Sequence, residues 1–287
     1  MSVIRTREQR VQRVCDYIER HLDDDLSLDM LSDIAACSKY HFHRVFKASI
    51  GISTIQYLLL ARLRRASFRL AFEPQKTVTD IALEARFDSP EAFSRAFSRT
   101  LGQTPSQFRS QPDWPTWHSR LEIHPIKTGD MNLDVRIIDF PRTQIAFITH
   151  QGDHQRVLET ASKLIEWRKQ TGLSPVKTSQ TFGIPYSDPN DTPKEAFRFD
   201  IAGSVLQDVP ENEFGVENGV IPPGRCAVIQ HKGSHDGISD TVYHLYRKWL
   251  PDSGEELRDF PCFFHYLNLI HEVDECDLIT DIYLPIR

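Results

Sequence analysis

Apolar side chains recur at helical spacing through the first 110 residues of the chain. The opening segment shows this pattern first, with apolar residues at positions 11, 14, 15, 18 and 22 on one face of an amphipathic helix. Serine or threonine caps followed by the same spacing predict further helices over 28–36, 38–47, 54–73, 78–86, 91–100 and 104–109. The first half is therefore predicted to be all-α, with about seven helices.

Two of these predicted helices are copies of each other. Each copy follows a short helix and a tight turn, which is the order of a helix-turn-helix. The first turn contains Ala36 where glycine is usual, so a left-handed backbone there carries strain. An offset of 51 relates the two copies: it carries Ser38, Phe42, Arg44, Phe46 and Gly51 onto Ser89, Phe93, Arg95, Phe97 and Gly102.

The helix predicted between the two copies spans about 20 residues, or about 30 Å at 1.5 Å per residue. Neighbouring major grooves on one side of duplex DNA are roughly 34 Å apart. Two equivalent helices joined by a connecting helix of this length could therefore enter two adjacent grooves.

The connecting helix has four arginines that we expect to be solvated or to face phosphates: Arg62, Arg64, Arg65 and Arg69.

The second half of the chain has a different pattern. Alternating or continuous apolar runs between prolines and glycines predict strands over 132–140, 144–149, 180–186 and 198–206, with a helix near 157–165. A repeat with an offset of 81 relates Pro141, His150 and Asp200 to Pro222, His231 and Asp281. We predict an α+β domain of two βαββ-type repeats, with pseudo-twofold symmetry and a cleft between the halves.

The chain is thus expected to be multidomain. Prolines and broken periodicity predict a linker over 111–129, between a helical domain over 1–110 and an α+β domain over 130–287. Residues 1–120 have 18 Lys and Arg against 14 Asp and Glu, a net +4, and the remaining residues have a net −10. A basic half next to an acidic half fits a polyanion binder joined to a domain with another task, although chance variation in surface charge produces similar asymmetries.

Compartment and chemistry are constrained by what the sequence lacks. The five cysteines are scattered without a C-x-x-C pair, which indicates a reducing compartment and no disulfide framework. No apolar run has the form of a signal peptide or approaches the ~20 residues needed to span a bilayer. A cytoplasmic protein without a membrane partner is expected.

Paired histidines at His150/His154 and His231/His235 invite a metal-site interpretation. A glycine at a predicted strand end separates each pair, so the helical geometry of such a site is absent, and the repeat itself explains the recurrence. The sequence also lacks G-x-S-x-G, phosphate-loop and G-x-G-x-x-G motifs. We therefore predict no metal, no cofactor and no catalytic residue, and we do not expect an enzyme.

The first half resembles the DNA-binding domain of the AraC/XylS family of bacterial transcription regulators, in the Rob-like arrangement with this domain first. The stretches that carry the resemblance are 26–29, 38–47 (Ser-Lys-Tyr-His-Phe-His-Arg-Val-Phe-Lys), 80–82, 86–97 and 102–105. The resemblance covers about residues 5–110. It implies a nucleoid-associated transcription regulator, most simply an activator, with duplex DNA and RNA polymerase as partners.

The resemblance also assigns roles by position. Base reading falls to Tyr40, His43 and Arg44 in the first copy, and to Glu91, Ser94 and Arg95 in the second. Arginine can form a bidentate contact with guanine O6 and N7, and an aromatic ring can pack on a thymine methyl group. Glu91 departs from the family pattern and would be repelled by phosphates unless it accepts from cytosine N4. The expected phosphate contacts are Ser38, Lys39, Lys47 and Arg99.

The second half resembles the GyrI-like (SHS2-repeat) effector-binding domain. The matching stretches are 222–228, 231–233, 249–254 and 280–286, within about residues 130–287. The resemblance implies a cleft in which an acidic side chain and aromatic rings receive cationic, planar ligands. Here Phe264 takes the strand position of the usual glutamate, which favours a neutral aromatic or apolar ligand. The candidate cleft residues are Tyr186, Trp249, Phe264, Tyr266 and Asp281.

These observations predict a sequence-specific DNA-binding regulator that senses a small molecule, and they leave alternatives for the second half. The rings could be ordinary core, because buried aromatic residues are common in any fold. The domain could be a small hydrolase, as some GyrI-like proteins are, with Asp281 or a histidine as acid or base. It could also have no ligand and contact only protein, such as RNA polymerase.

Overall fold

The computed structural model describes residues 2–121 and 134–287, apart from the side chains of residues 2–7 and of Tyr40. The chain divides into two compact units that are not continuous in sequence. The first unit comprises Met1–Asn132 and Ile270–Asp277, and the second comprises Leu133–Leu269 and Leu278–Arg287. The short segment 270–277 thus belongs to the first unit although both of its flanks belong to the second.

The described part of the first unit contains eight α-helices, of which seven were predicted. They are α1 (Ser2–Arg20), α2 (Leu28–Ile34), α3 (Lys39–Ile50), α4 (Thr54–Phe72), α5 (Val78–Glu84), α6 (Pro90–Leu101), α7 (Pro105–Ser110) and α8 (Trp114–Leu121). Side-chain caps from Ser27, Ser53, Thr77 and Thr104 satisfy N-terminal backbone N–H groups of α2, α4, α5 and α7. No helix of the described residues is long and apolar enough to cross a membrane.

The offset of 51 extends to the cores of the two helix-turn-helix copies. Phe42 and Phe46 of α3 pack edge-to-face at a centroid distance of 5.7 Å, and Phe46 packs in the same way on Tyr57 of α4 at 5.6 Å. The equivalent residues Phe93, Phe97 and Phe108 repeat this cluster, with distances of 5.4 and 5.5 Å. Edge-to-face pairs add about 0.5–1.5 kcal/mol each beyond area burial. The same three-ring core therefore positions both copies.

The turns between the paired helices are left-handed without glycine. Ala36 has φ 50°, as the sequence predicted, and Arg86 takes the same role in the second copy with φ 62°. A left-handed residue with a Cβ costs about 1–2 kcal/mol. Each turn is held by a backbone bond back to the preceding helix, Cys37 N to Ser32 O and Phe87 N to Ala82 O.

The predicted linker over 111–129 is wrong for its first part. Residues Trp114–Leu121 form α8, and Trp114, Trp117 and Leu121 are buried. The prediction failed because prolines at 112 and 115 interrupt the apolar spacing, whereas proline is tolerated in the first turn of a helix. Residues 122–129 lie outside the described residues.

The second unit is an eight-stranded antiparallel sheet with helices. Its elements are β1 (Arg136–Phe140), β2 (Thr143–Gln151), α9 (Val157–Thr171), β3 (Thr181–Pro185), β4 (Arg198–Ser204), β5 (Glu217–Ile221), β6 (Gly224–Lys232), α10 (Ile238–His244), α11 (Leu250–Ser253), β7 (Phe263–Tyr266) and β8 (Ile279–Pro285). A π-helical turn, Leu245–Trp249, joins α10 to α11.

The two predicted βαββ repeats are present, and each is preceded by one further strand, β1 or β5, that pairs with the other repeat. The strand order is β1-β6-β8-β7-β3-β4-β2-β5, so β1 pairs with β6 of the second repeat and β5 pairs with β2 of the first. The offset of 81 carries the bounds of β1, β2 and β4 onto those of β5, β6 and β8. Gly183 of β3 pairs with its own repeat equivalent, Phe264 of β7, which places the pseudo-twofold axis at this pair.

Candidate nucleic-acid interface and ligand cleft

Helix α3 separates a buried face from an exposed one. Phe42 and Phe46 are fully buried, and His43, Arg44 and Lys47 are exposed on the opposite side. The helix ends at Gly51, whose φ of 90° is a left-handed conformation that favours glycine. The side chain of Tyr40 lies outside the described residues. A basic and imidazole-bearing surface is therefore presented to solvent along one side of α3.

Helix α6 repeats this division. Phe93 and Phe97 are buried, Glu91 and Arg95 are exposed, and Ser94 is half-buried. Pro90 occupies the first turn, where its missing N–H costs no hydrogen bond. Arg44 and Arg95 are therefore exposed at equivalent positions of equivalent helices.

The side chains predicted to contact phosphates differ in the hydrogen bonds and ion pairs that they make within the protein. Ser38 has the backbone of an N-cap but makes no side-chain cap bond, whereas its equivalent Ser89 accepts from Ala92 N at 3.1 Å. Lys39 forms an ion pair with Asp29 of α2, so a phosphate would have to compete with that carboxylate. Lys47 and Arg99 are exposed in the last turns of their helices.

The arginines of α4 are structural, contrary to the prediction that they are solvated or face phosphates. Arg64 and Arg65 are each only 7% exposed. Arg64 is bound by Glu275 and Arg65 by Asp23 and Asp274. Arg62 donates to the carbonyls of Leu22 and Asp24 at 3.0 and 2.8 Å. The sequence pattern missed this because the acidic partners are up to 211 residues away.

The paired histidines are explained by hydrogen bonds. His150 uses both ring nitrogens, Nδ1 with Thr160 Oγ1 at 2.8 Å and Nε2 with Asp153 O at 3.0 Å. His231 does the same with Thr241 Oγ1 and Ser234 O at 2.8 and 2.9 Å, and burial lowers its pKa. Each histidine thus ties a strand end to the helix that follows. Among the described residues no group of three or more His, Cys, Asp or Glu side chains could hold a metal ion.

The sheet has two different faces around the pseudo-twofold axis. One face packs on the helices, with Ile148 and Ile201 against α9, and Ile229 and Ile282 against α10. The helix-free face collects the rings of Phe140, Phe182, Phe263 and Tyr283, among others, in a separate cluster. Because strand residues alternate between faces, each candidate cleft residue can be assigned to one of the two.

The structure does not bring all five candidate cleft residues together. Phe264 and Tyr266 lie on the helix face with Trp249, in the cluster that includes α10. Asp281 neighbours Ile282, which is on the helix face, so its side chain lies on the other face, where it accepts from Gln230 at 3.0 Å. Tyr186 stacks on the Arg198 guanidinium, 4.0 Å from the ring centroid.

Tyr186 also belongs to the helix-free side of the sheet. Arg198 pairs with Asp200 at 3.1 Å, and Asp200 accepts from Thr149 Oγ1 at 2.7 Å. These residues alternate with Phe199 and Ile201, which pack on the helix face. Of the predicted cleft, three residues therefore share the helix face: Trp249, Phe264 and Tyr266. Tyr186 lies instead beside Arg198 and Asp200, and Asp281 lies beside Gln230.

Residues that sequence analysis missed complete the helix-face set. A Cβ at Gly183 would lie 2.5 Å from Tyr266 Oη and 2.6 Å from Phe199 Cζ, so these two rings fill the space that glycine leaves at the axis. Thr280 pairs with Tyr266 across β7 and β8 and is 1% exposed. Its hydroxyl is buried with no hydrogen-bond partner among the described residues. The offset of 81 could have identified Gly183 and Thr280, because it relates them to Phe264 and Phe199.

Comparisons with known proteins agree with this division into a helical and an α+β part. Residues 133–287 match the family described as the GyrI-like small molecule binding domain, and residues 31–111 match a helix-turn-helix domain. The probable transcriptional regulator YgiV of Escherichia coli (strain K12) is 49% identical over 157 residues, which are 55% of this chain and 98% of that protein.

Two further similarities span most of the chain. The right origin-binding protein of Escherichia coli (strain K12) is 24% identical over 243 residues, 82% of each protein. A cryo-EM structure of an EcmrR–DNA complex has a TM-score of 0.48 and 18% identity, covering 91% of this chain and 98% of that one. This chain belongs to the GyrI-like family, as a transcriptional regulator in which an AraC-type helix-turn-helix DNA-binding domain precedes the GyrI-like small-molecule-binding domain.

Proposed function

We propose that the chain reads two adjacent major grooves of one DNA duplex, with α3 in one groove and α6 in the other. The observation that carries the proposal is the equivalent exposure of Arg44 and Arg95, each opposite a pair of buried phenylalanines. Helices α3 and α6, here called the two probes, are built on equivalent three-ring cores. Each presents an arginine at the same position, and duplex DNA presents a major groove about every 34 Å along one side.

Each probe has a distinct chemistry. Base reading by α3 uses Tyr40, His43 and Arg44, and guanine is the base that arginine reads most readily. Base reading by α6 uses Arg95 and Ser94. The base that faces Glu91 is restricted to cytosine, because the N4 amino group of cytosine can donate to the carboxylate. Ser38, Lys39, Lys47 and Arg99 contact phosphates and fix the register. The first probe therefore contributes more of the specificity than the second.

The boundaries and the regulatory role follow from the same proposal. The DNA-binding domain extends over about residues 1–110, against which α8 and the segment Ile270–Asp277 pack, and the GyrI-like domain comprises the rest of 130–287. The chain acts as an activator that also contacts RNA polymerase, and its place of action is the nucleoid. An acid or base for a hydrolase would have to come from the helix-face cleft. Phe264 occupies the strand position of the usual glutamate, Asp281 lies on the other face, and the buried His231 uses both ring nitrogens in hydrogen bonds. The regulatory role is favoured for this reason.

Selection from a random duplex pool with the full chain tests two-groove reading. We expect two conserved half-sites, with centres about 10–10.5 base pairs apart, because that is one helical turn. Affinity for the selected duplex should fall linearly on a log–log plot against salt, with a slope of about −0.9 for each phosphate neutralised. A single half-site, or binding without salt dependence, would contradict the proposal.

We propose that the ligand of the GyrI-like domain is a neutral aromatic or apolar molecule with one hydrogen-bonding group. The helix-face set offers three rings, Trp249, Phe264 and Tyr266, and the buried hydroxyl of Thr280. A cation in such a site needs a carboxylate partner. Asp281, the acidic member of the predicted cleft, lies on the other face of the sheet.

A thermal-shift comparison of 2-naphthol, naphthalene and tetraphenylphosphonium tests this ligand class. We expect 2-naphthol to raise the Tm most, since a ligand at 100 times its Kd stabilises by about 2.7 kcal/mol. In a Thr280→Val variant, which keeps the side-chain volume and removes the hydroxyl, the advantage of 2-naphthol over naphthalene should disappear. Stabilisation by the phosphonium cation alone would contradict the proposed ligand class.

A further inference from the structure

The segment Ile270–Asp277, here called the acidic latch, connects β7 to β8 and belongs to the DNA-binding unit. Four of its eight residues are acidic, at positions 272, 274, 275 and 277. Its last turn, Glu275–Asp277, is a short 3-10 helix. The latch is therefore a part of the first unit that is separated in sequence from the helices of that unit by most of the second unit.

Glu275 forms the first contact of the latch, with Arg64 of α4. Both carboxylate oxygens accept from the guanidinium, one of them from Arg64 Nη2 at 2.7 Å. Arg64 Nη1 donates to Leu121 O at 3.0 Å, and the guanidinium carbon lies 4.6 Å from the Trp117 ring centroid. The ion pair thus joins α4 and α8 to the latch, with Arg64 side-chain exposure of 8% and Glu275 exposure of 19%.

Asp274 forms the second contact, with Arg65. The distance from Arg65 Nη1 to Asp274 Oδ2 is 3.1 Å. The same guanidinium donates to Asp23 Oδ1 at 2.5 Å and to Glu84 O at 3.0 Å. Asp23 lies between α1 and α2, before the first helix-turn-helix, and Glu84 is the last residue of α5, in the second. Arg65 therefore contacts residues next to or within both helix-turn-helix copies, and Asp274 is one of the two carboxylates that bind its guanidinium.

A third contact closes the latch against α1. The Cys276 thiol donates to Glu19 O at 3.6 Å, and Glu19 accepts from Tyr57 Oη at 2.7 Å. The pKa of the Cys276 thiol is raised to about 12, mainly by burial. The latch thus touches α1, α4 and, through Arg64, the end of α8.

The two equivalent connectors of the second unit carry opposite charges at one equivalent position. The offset of 81 relates the turn Lys194–Ala196, between β3 and β4, to Glu275–Asp277. Lys194 pairs with Asp153 of its own repeat at 2.7 Å. The equivalents of these two residues are Glu275 and Ser234, so an acidic side chain takes the place of a basic one in this connector. The acidic character of this connector matches the arginines of α4.

We propose that Asp274 and Glu275 are positioning residues for DNA binding, which hold Arg64 and Arg65 so that the two helix-turn-helix copies keep one fixed spacing. The inference rests on the proposed two-groove reading. A rigid pair of probes gains avidity of about 10²–10⁴ over one probe when both sites can be reached together. Loss of the latch removes that gain and leaves the contacts of each single probe in place.

The test uses the full chain with the double substitution Asp274→Asn and Glu275→Gln. Affinity is measured on the selected two-half-site duplex and on the same duplex with one half-site scrambled. We expect the preference for the two-site duplex to fall by about tenfold or more, because fixed geometry is the source of the avidity. Binding to the one-site duplex should stay within about threefold, or rise slightly, because two negative charges are removed.

Glu195→Gln is the matched control. Glu195 is an exposed carboxylate in the equivalent connector of the first repeat, and its substitution removes one negative charge without touching Arg64 or Arg65. It should leave the two-site preference unchanged. Asp274→Asn alone, which keeps the Glu275–Arg64 pair, serves as the second variant if the double substitution impairs folding. A double variant with the wild-type two-site preference would overturn the proposal.

Cys276 gives a readout that does not depend on DNA. In a Cys37→Ser background the other three cysteines, Cys15, Cys226 and Cys262, are buried. The rate of iodoacetamide labelling at pH 8 should rise by about tenfold or more in the double variant, since release restores an ordinary thiol pKa. An unchanged rate would overturn the role of the two carboxylates. A wild-type chain without two-site preference would overturn the proposed function, and the labelling rate would still decide whether these carboxylates hold the latch.

Discussion

Trp117→Ala is expected to lower the free energy of unfolding of the first unit by about 3–5 kcal/mol, the usual cost of removing a buried large aromatic side chain. Trp117 is 1% exposed and packs on Phe68 and Trp114 at centroid distances of 4.9 and 5.6 Å. Its indole N–H donates to Ser67 Oγ at 2.8 Å. The substitution also removes the ring on which Arg64 lies. Urea denaturation of the full chain, followed by far-UV circular dichroism, measures the change.

Two further variants separate packing from other effects. Trp117→Phe keeps most of the ring volume and loses the hydrogen bond to Ser67, so it should cost clearly less than the alanine variant. Arg120→Ala changes an exposed residue of the same helix and should stay within about 0.5 kcal/mol of wild type. A cost below about 1 kcal/mol for Trp117→Ala would mean that the packing of α8 contributes little to the stability of the first unit.

Arg44→Ala is expected to weaken binding to the selected duplex by about 1–3 kcal/mol, or about 5- to 150-fold, as for loss of one bidentate base contact. The side chain is exposed next to His43 on the face of α3 opposite Phe42. Its removal leaves the core of the first copy untouched. Fluorescence anisotropy with the selected duplex and with a random duplex, at one fixed salt concentration, measures the loss.

Lys47→Ala is the matched comparison, because Lys47 lies one turn further along the same exposed face. A phosphate contact should weaken binding to both duplexes equally and reduce the salt slope by about 1. Arg95→Ala should cost less than Arg44→Ala on the selected duplex, since Glu91 limits what α6 can read. Equal losses on selected and random DNA for Arg44→Ala would remove that residue from the base-reading set.

The repeats made most of the fold predictable from sequence. The offsets of 51 and 81 relate residues whose environments are the same in the structure, such as Phe46 and Phe97, or His150 and His231. Local signals sufficed here because each helix has its cap and its apolar face within one segment. Helix α8 escaped prediction because Pro112 and Pro115 interrupt its apolar spacing, and its packing on Phe68 and Ser67, about 50 residues away, is visible only in the structure.

The ligand cleft was only partly predictable, for a reason of strand geometry. Asp281 and Phe264 were grouped because the resemblance to GyrI-like domains implies an acidic side chain and aromatic rings in one cleft. The register pairs Phe264 with Ile282 and His265 with Asp281, so the two candidates face opposite sides of the sheet. A shift of one residue in a strand moves a side chain to the other face, and sequence alone fixes that register only where one face is clearly polar.

The arginines of α4 illustrate a different limit. Their spacing on the helix gave no sign that Arg64 and Arg65 would be buried, because burial of a guanidinium depends on carboxylates from elsewhere in the chain. The acidic run at 272–277 was visible only as composition. The pairing could be recognised once the chain was folded.

The late position of the acidic latch has a consequence for biosynthesis. Glu275 lies 211 residues after Arg64 in the sequence, so all eight helices α1–α8 are synthesised well before the carboxylate that binds Arg64. Nascent or prematurely terminated chains contain every helix of α1–α8 and still lack two counter-charges of their own DNA-binding unit. A chain truncated before residue 274 should therefore have a helical half that is less stable than that of the full chain, because Arg64 and Arg65 lose these two carboxylates.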